Sequence, residues 1–207
     1  MILEQLKQAT RAAHMRLQAH PRVIQLSTPQ LSLAEYTAFL ATMAGFYQPM
    51  EQQLARFTHE WAQIGLDFEQ RCKTSLLRHD LVALGYANDG MTEPPTCADL
   101  PTLDDFPQAL GCMYVLEGAT LGGQLITRQM AAHFGLTAES GTAFYGSYGP
   151  AVGSMWKAFC MQVNAYAATC ASDDAIIGMA NDTFDALEQW LAAADQSVNR
   201  KHRMLVA

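Results

Sequence analysis

The sequence predicts a single all-α domain, and three observations carry that expectation. Apolar residues recur at helical spacing along nearly the whole chain, with no run of alternating strand pattern. At 207 residues and 50% apolar content, the chain is long enough to bury one core. The third observation is a stretch that reads as helix on both sides yet is rich in glycine, Gly111-Cys-Met-Tyr-Val-Leu-Glu-Gly-Ala-Thr-Leu-Gly-Gly-Gln124.

Taken in order, residues 2–19 read as a first helix ending before Pro21, with Ile2, Leu3, Leu6, Ala13 and Leu17 on its apolar arc. Ser32 and Glu35 have the spacing of a capping box, opening a second helix over 33–62 that bends near Gly45 or Pro49. Residues 67–84 form another, stopped by Gly85. Asn88 to Thr102 is Pro-rich, polar and loop-like, too short for a domain linker. Asp104 or Asp105 caps the helix that carries Pro107 in its first turn and leads into the glycine stretch, and Gly135 ends it. Residues 141–153 are expected to be irregular, and helices near 151–170 and 173–196 complete the fold. The expected domain is 1–207, with a core of about 1–196 and a short polar tail.

Composition narrows the function classes. A formal net charge of −7 argues against nucleic acid as the main partner. The cysteines, Cys72, Cys97, Cys112, Cys160 and Cys170, are odd in number and include no Cys-x-x-Cys. That pattern fits reduced thiols better than a disulfide framework or a zinc site. The N-terminus lacks a basic region followed by an apolar run, and no apolar segment has the length of a membrane span. The expectation is a soluble, cytoplasmic protein with no membrane or nucleic-acid partner.

Gly118, Gly122 and Gly123 stand where a stable helix wants alanine, each at a cost of about 1 kcal/mol. On a helical projection Gly111, Gly118 and Gly122 share a narrow arc, with Tyr114 and Leu125 at its edge. Such a smooth stripe suits something lying close to the backbone. Two other readings stand beside it: a Gly-x-x-x-Gly surface for helix packing, or the end of one helix and the start of the next. A phosphate loop is disfavoured, because no Gly-Lys-Ser/Thr follows and no strand precedes.

His14 lies where the apolar arc of the first helix meets a polar one, with Arg11 and Lys7 upstream on nearly the same face. An imidazole there can bind a metal in a flat apolar cofactor while a lysine reaches an anionic edge. Lys7 and Arg11 on a solvated face is the alternative. Cys112 sits mid-helix in an apolar run, as buried inert thiols do. No Glu-x-x-His exists for a diiron bundle, and no Cys-x-x-Cys-His for covalent haem.

Thr10-Arg-Ala-Ala-His14, followed far downstream by Tyr114-Val-Leu-Glu-Gly-Ala-Thr-Leu-Gly-Gly-Gln124, resembles a haem oxygenase of the bacterial soluble branch that supplies bilin to bacteriophytochromes. The likeness runs from residue 1 to about 190. It implies a single-domain helical fold gripping haem, at once cofactor and substrate, between a proximal and a kinked distal helix. It implies His14 as the iron ligand, and Gly118, Gly122 and Gly123 shaping the oxygen pocket. Lys7, Tyr114 and Lys157 (in Met155-Trp-Lys-Ala-Phe159) would hold the propionates. Many relatives carry arginine one turn after that lysine; here the residue is Met161, so the resemblance implies either a weaker clamp on that side or Arg11 in the role. Ala119 replaces an aspartate that organises distal water in animal members. The implied reaction opens haem with O2 and electrons from a reductase or ferredoxin to biliverdin, CO and ferrous iron. The rival reading is a haem-binding carrier or sensor of the same fold; a helical enzyme acting on a thiamin-like compound is more distant.

Overall fold

The computed structural model describes residues 1–86 and 94–205, with side chains described as far as 194. Among the described residues every regular element is helical. The expected first helix is two: α1 (Ile2–Ala9) and α2 (Arg11–Gln18), divided at Thr10. The buried Thr10 hydroxyl donates to the Leu6 carbonyl at 2.7 Å, and its dihedrals of −90° and −3° lie at the edge of the helical region. Bonding back to a carbonyl four residues earlier bends a helix at threonine. α3 (Pro21–Gln25) follows, with His20 as its cap.

α4 (Leu33–Leu54) begins as expected, with Ser32 Oγ accepting from the Glu35 amide and Glu35 returning to the Ser32 amide. It passes through Pro49 and changes only at Ala55, in a 3-10 turn leading to α5 (Thr58–Gln63). Gly45 marks a close approach rather than a bend: a β-carbon there would run into the Pro95 carbonyl. The expected helix over 67–84 is a 3-10 turn at Glu69–Arg71 and then α6 (Thr74–Ala83). Of the expected loop 88–102, residues 88–93 lie outside the described residues.

α7 (Phe106–Phe134) is the central element. Asp105 caps it by accepting from the Gln108 amide at 2.9 Å, and Gly135 closes it at a left-handed φ of 69°. The segment expected to be irregular holds a π-helical turn (Ala138–Thr142), the short α8 (Ala143–Gly146) and a 3-10 turn (Gly149–Ala151). α9 (Val152–Ala167) and α10 (Asp173–Leu205) finish the chain, and α10 runs past the expected end at 196.

α7 packs along α10, with α4 and α6 paired beside it. Gly111 makes the first contact possible, since a β-carbon there would meet the Ile176 carbonyl. Trp61, Tyr36, Tyr47, Phe46 and Phe159 are fully buried, each worth about 1.5–3 kcal/mol or more in apolar burial. No helix among the described residues is long and apolar enough to cross a membrane.

Candidate functional site

Contacts join the N-terminal segment to α7 at two places along that helix. At one end the Tyr114 phenol contacts Thr10; burial raises its pKa, and that contact pulls the other way. At the other end Ser27 Oγ donates to Gln129 Oε1 at 3.2 Å, and His133 Nε2 lies 3.2 Å from the Leu31 carbonyl. Tyr114 to Gln129 spans roughly 22 Å of α7 at 1.5 Å per residue. Along that span the face that begins at Tyr114 continues through Gly118, Leu121, Gly122 and Leu125. Leu121 is 46% and Leu125 52% exposed, and a β-carbon on Gly122 would meet nothing within 4 Å. On the N-terminal side His14, one turn after Thr10, is exposed, as are Met15 and Ile24. The candidate cleft is the strip between these two contacts, with exposed apolar side chains and the bare backbone of Gly122 along it.

The cationic side chains lie near the Tyr114 end. Lys7 and Arg11 are exposed on α1 and α2, and Lys157 is exposed on α9. α1 packs on α9, where the Leu3 amide donates to Asn164 Oδ1 at 3.4 Å. Trp156, which the sequence reading did not single out, fills the corner between them. Its ring lies 5.6 Å from that of Tyr114 and 5.8 Å from that of Phe159. A β-carbon on Gly118 would sit 3.8 Å from it.

The glycines therefore separate. Gly118 and Gly122 share the open face, but Gly123 does not: its α-carbon lies against the backbone of Tyr145, where a side chain would strike the carbonyl. The arc drawn through Gly111 likewise divides, because Gly111 belongs to the α10 contact. Cys112 is fully buried, and burial pushes its thiol up to about 12, as an inert core cysteine should be. His14 meets the edge of Phe184 at 5.9 Å, and Arg16 ties α2 to α10 by pairing with Asp185 and Glu188.

Behind the open face lies a charged cluster that periodicity did not reveal. Glu117, 1% exposed, pairs with Arg71 Nη1 and stands 3.5 Å from Lys73 Nζ. Tyr148 donates its hydroxyl to Glu117 and accepts from Lys73 Nζ at 2.7 Å. Glu51 accepts from the Lys73 and Thr74 amides. Burial lowers the Lys73 pKa against the pull of the two carboxylates, and raises that of Tyr148, with Glu117 adding to the rise. A lone Glu in the apolar run Met113–Leu116 and beyond was the signal, since a buried carboxylate needs partners.

Exposed apolar side chains with cations toward one end are the chemistry that a flat apolar ligand with an anionic edge would need. His14 offers one metal-binding nitrogen, and no trio of His, Cys, Asp or Glu among the described residues can hold a bare ion. A single imidazole suits a metal that carries its other ligands with it, as iron does in a porphyrin.

Fold and candidate site together define an all-α protein with an exposed apolar strip between its N-terminal helices and α7. The chain belongs to the haem oxygenase family: the model described as Heme oxygenase matches residues 1–193. Its chemistry is haem degradation, and haem is its substrate. Among solved structures it is similar to the NO- and CO-bound heme oxygenase from Neisseria meningitidis, at 20% identity, TM-score 0.75, and coverage of 94% of this chain and 92% of that one. It is similar also to heme oxygenase-1 of the cyanobacterium Synechocystis sp. PCC6803 in complex with heme, at 16% identity, TM-score 0.75, and 99% and 97% coverage. The heme oxygenase of Leptospira interrogans matches at 15% identity, TM-score 0.73, and 91% and 97% coverage. No curated protein matches the sequence significantly.

Proposed function

We propose that the cleft between α2 and α7 is where this chain opens haem to biliverdin, with His14 as the iron ligand. The observation that supports this is that the contacts Thr10–Tyr114 and Ser27–Gln129 bracket an exposed imidazole on α2 and bare backbone at Gly122 on α7. Bound haem supplies the iron and the ring that O2 and electrons convert to biliverdin, CO and ferrous iron. Lys7, Arg11 and Lys157 hold the propionates by charge, with Tyr114 beside them, and so fix the ring's rotation. Leu121 and Leu125 exclude water from its faces. Gly118 and Gly122 let the α7 backbone lie against the oxygen side, where a side chain would crowd it.

Ala119 offers no carboxylate for proton delivery, and Glu117 is engaged behind the helix by Arg71, Lys73 and Tyr148. Protons reach the cleft through water held on backbone carbonyls, at about 0–2 kcal/mol of ordering entropy per water. A reductase or ferredoxin donates the electrons in the cytoplasm, and a bacteriophytochrome takes the bilin, as the resemblance implies.

His14→Ala should leave the haem-free protein folded but abolish the histidine-ligated haem spectrum, and added imidazole should partly restore it. An unchanged spectrum would assign the iron to another residue. In wild type, reductant and O2 should give bilin by product chromatography; stable haem without turnover would favour a carrier of the same fold.

A further inference from the structure

We propose that the turn Gly146-Ser147-Tyr148, acting through Tyr148 and Glu117, is a splint that sets the position of the glycine face of α7 over the cleft. The inference rests on the reading of Gly118 and Gly122 as the ligand face.

The splint grips α7 on the side away from the cleft and at both ends of the glycine segment. At one end Tyr148 donates to Glu117, the residue before Gly118. At the other, Gln124 Nε2 donates to the Gly146 carbonyl at 3.2 Å, and Gly123 lies against the Tyr145 carbonyl. All three contacts come from one stretch, residues 145–148. That stretch is itself anchored. Asp80, fully buried, accepts from the Ala143 and Phe144 amides at 2.8 Å each, and the Tyr36 hydroxyl donates to the Gly141 carbonyl at 2.9 Å. The glycine segment has little side-chain packing of its own on the open face, so these contacts determine where its backbone sits.

Two features are hard to explain as stability devices. Ser147 has φ 44° and ψ −115°, followed by Tyr148 at −80° and 6°, the dihedrals of a type II′ turn. Glycine is the residue such a turn favours at that first position, and a serine there carries strain. The second is the ionic cluster: buried pairs rarely stabilise more than apolar packing of the same volume, but their hydrogen bonds have direction. Bonds from Arg71 and Tyr148 to one carboxylate constrain the rotation of α7 about its axis with a directionality that apolar contact lacks.

Tyr148 is thus a positioning residue, and Tyr148→Phe tests it by removing one oxygen. In the haem-free protein, amide hydrogen exchange across residues 118–123 should accelerate about tenfold, while residues 109–114 of the same helix keep their rates. Loaded with haem, the variant should keep its haem affinity within about threefold but lose about tenfold in kcat. Ser147→Gly, which relaxes the turn and leaves the hydroxyl of Tyr148 in place, should give a smaller effect of the same pattern. Equal acceleration along all of α7 would make Tyr148 a general stabiliser, and no acceleration would make the cluster silent; either result overturns the proposal. Failure of wild type to bind haem would instead overturn the functional reading and leave the exchange result standing.

Discussion

At the scale of single residues, four glycines of one helix do different work, and the difference is set by what each α-carbon faces. Gly111 and Gly123 lie against the backbone carbonyls of Ile176 and Tyr145, Gly118 lies beside Trp156, and Gly122 faces open space. Adding one methyl group should therefore have opposite effects at neighbouring positions. Gly123→Ala must push α8 away from α7 and should lose about 1–3 kcal/mol of stability. Gly122→Ala meets nothing and gains helix propensity, so the haem-free protein should become more stable by up to about 1 kcal/mol. Urea denaturation of both variants checks the pair, and equal destabilisation would show that Gly122 also faces packed atoms. The larger Gly122→Phe should leave the haem-free stability near wild type and sharply reduce bilin formation, because its ring enters the cleft. Normal turnover in that variant would remove Gly122 from the site.

At the scale of elements, the helix starts obey local chemistry. Glu35 accepts from the Ser32 amide at 2.8 Å, from Ser32 Oγ at 2.7 Å and from Gln25 Nε2 at 2.7 Å. The Ser32 hydroxyl and amide hold its carboxyl below the usual glutamate range, with Gln25 adding to them. A depressed folded-state pKa contributes stability that is present above the unfolded value and lost as pH falls through the folded one. Ser32→Ala should thus cost about 1 kcal/mol near neutral pH. The gap between the two melting curves should narrow on acidification below the ordinary glutamate pKa; a gap of constant size would mean that Glu35 takes no part. Capping was legible in the sequence because it depends on residues three apart. The division of the first helix at Thr10 was not, because a threonine within a helical pattern gives no sign of whether its hydroxyl turns back to Leu6. The change of α4 at Ala55 rather than Pro49 escaped for a related reason, since a proline disrupts a helix only as far as its surroundings fail to absorb it.

At the scale of the whole molecule, the sequence disclosed most of the helices and offered candidate ligand residues, but not the charged cluster behind α7. His14, Lys7 and the glycine segment carry their signal in short spacings. Arg71 and Lys73 come from one short segment and Tyr148 from another, far from Glu117 in the chain, so no periodicity relates them to it. The cluster holds two carboxylates, Glu51 and Glu117, against two cations, Arg71 and Lys73, and this parity yields a prediction about the fold. Arg71→Met leaves an excess buried negative charge and should cost about 3–5 kcal/mol. Adding Glu117→Gln restores parity, with Glu51 facing Lys73, so the double variant should be more stable than Arg71→Met by about 1 kcal/mol or more. Chemical denaturation of the haem-free proteins completes the cycle, and simple additivity of the two losses would show that the charges do not depend on one another. If stability returns in the double variant while haem turnover does not, the cluster's contribution lies in direction: without the Arg71 bond and the charge on Glu117, α7 is held less firmly and can carry Gly118 and Gly122 away from the ring.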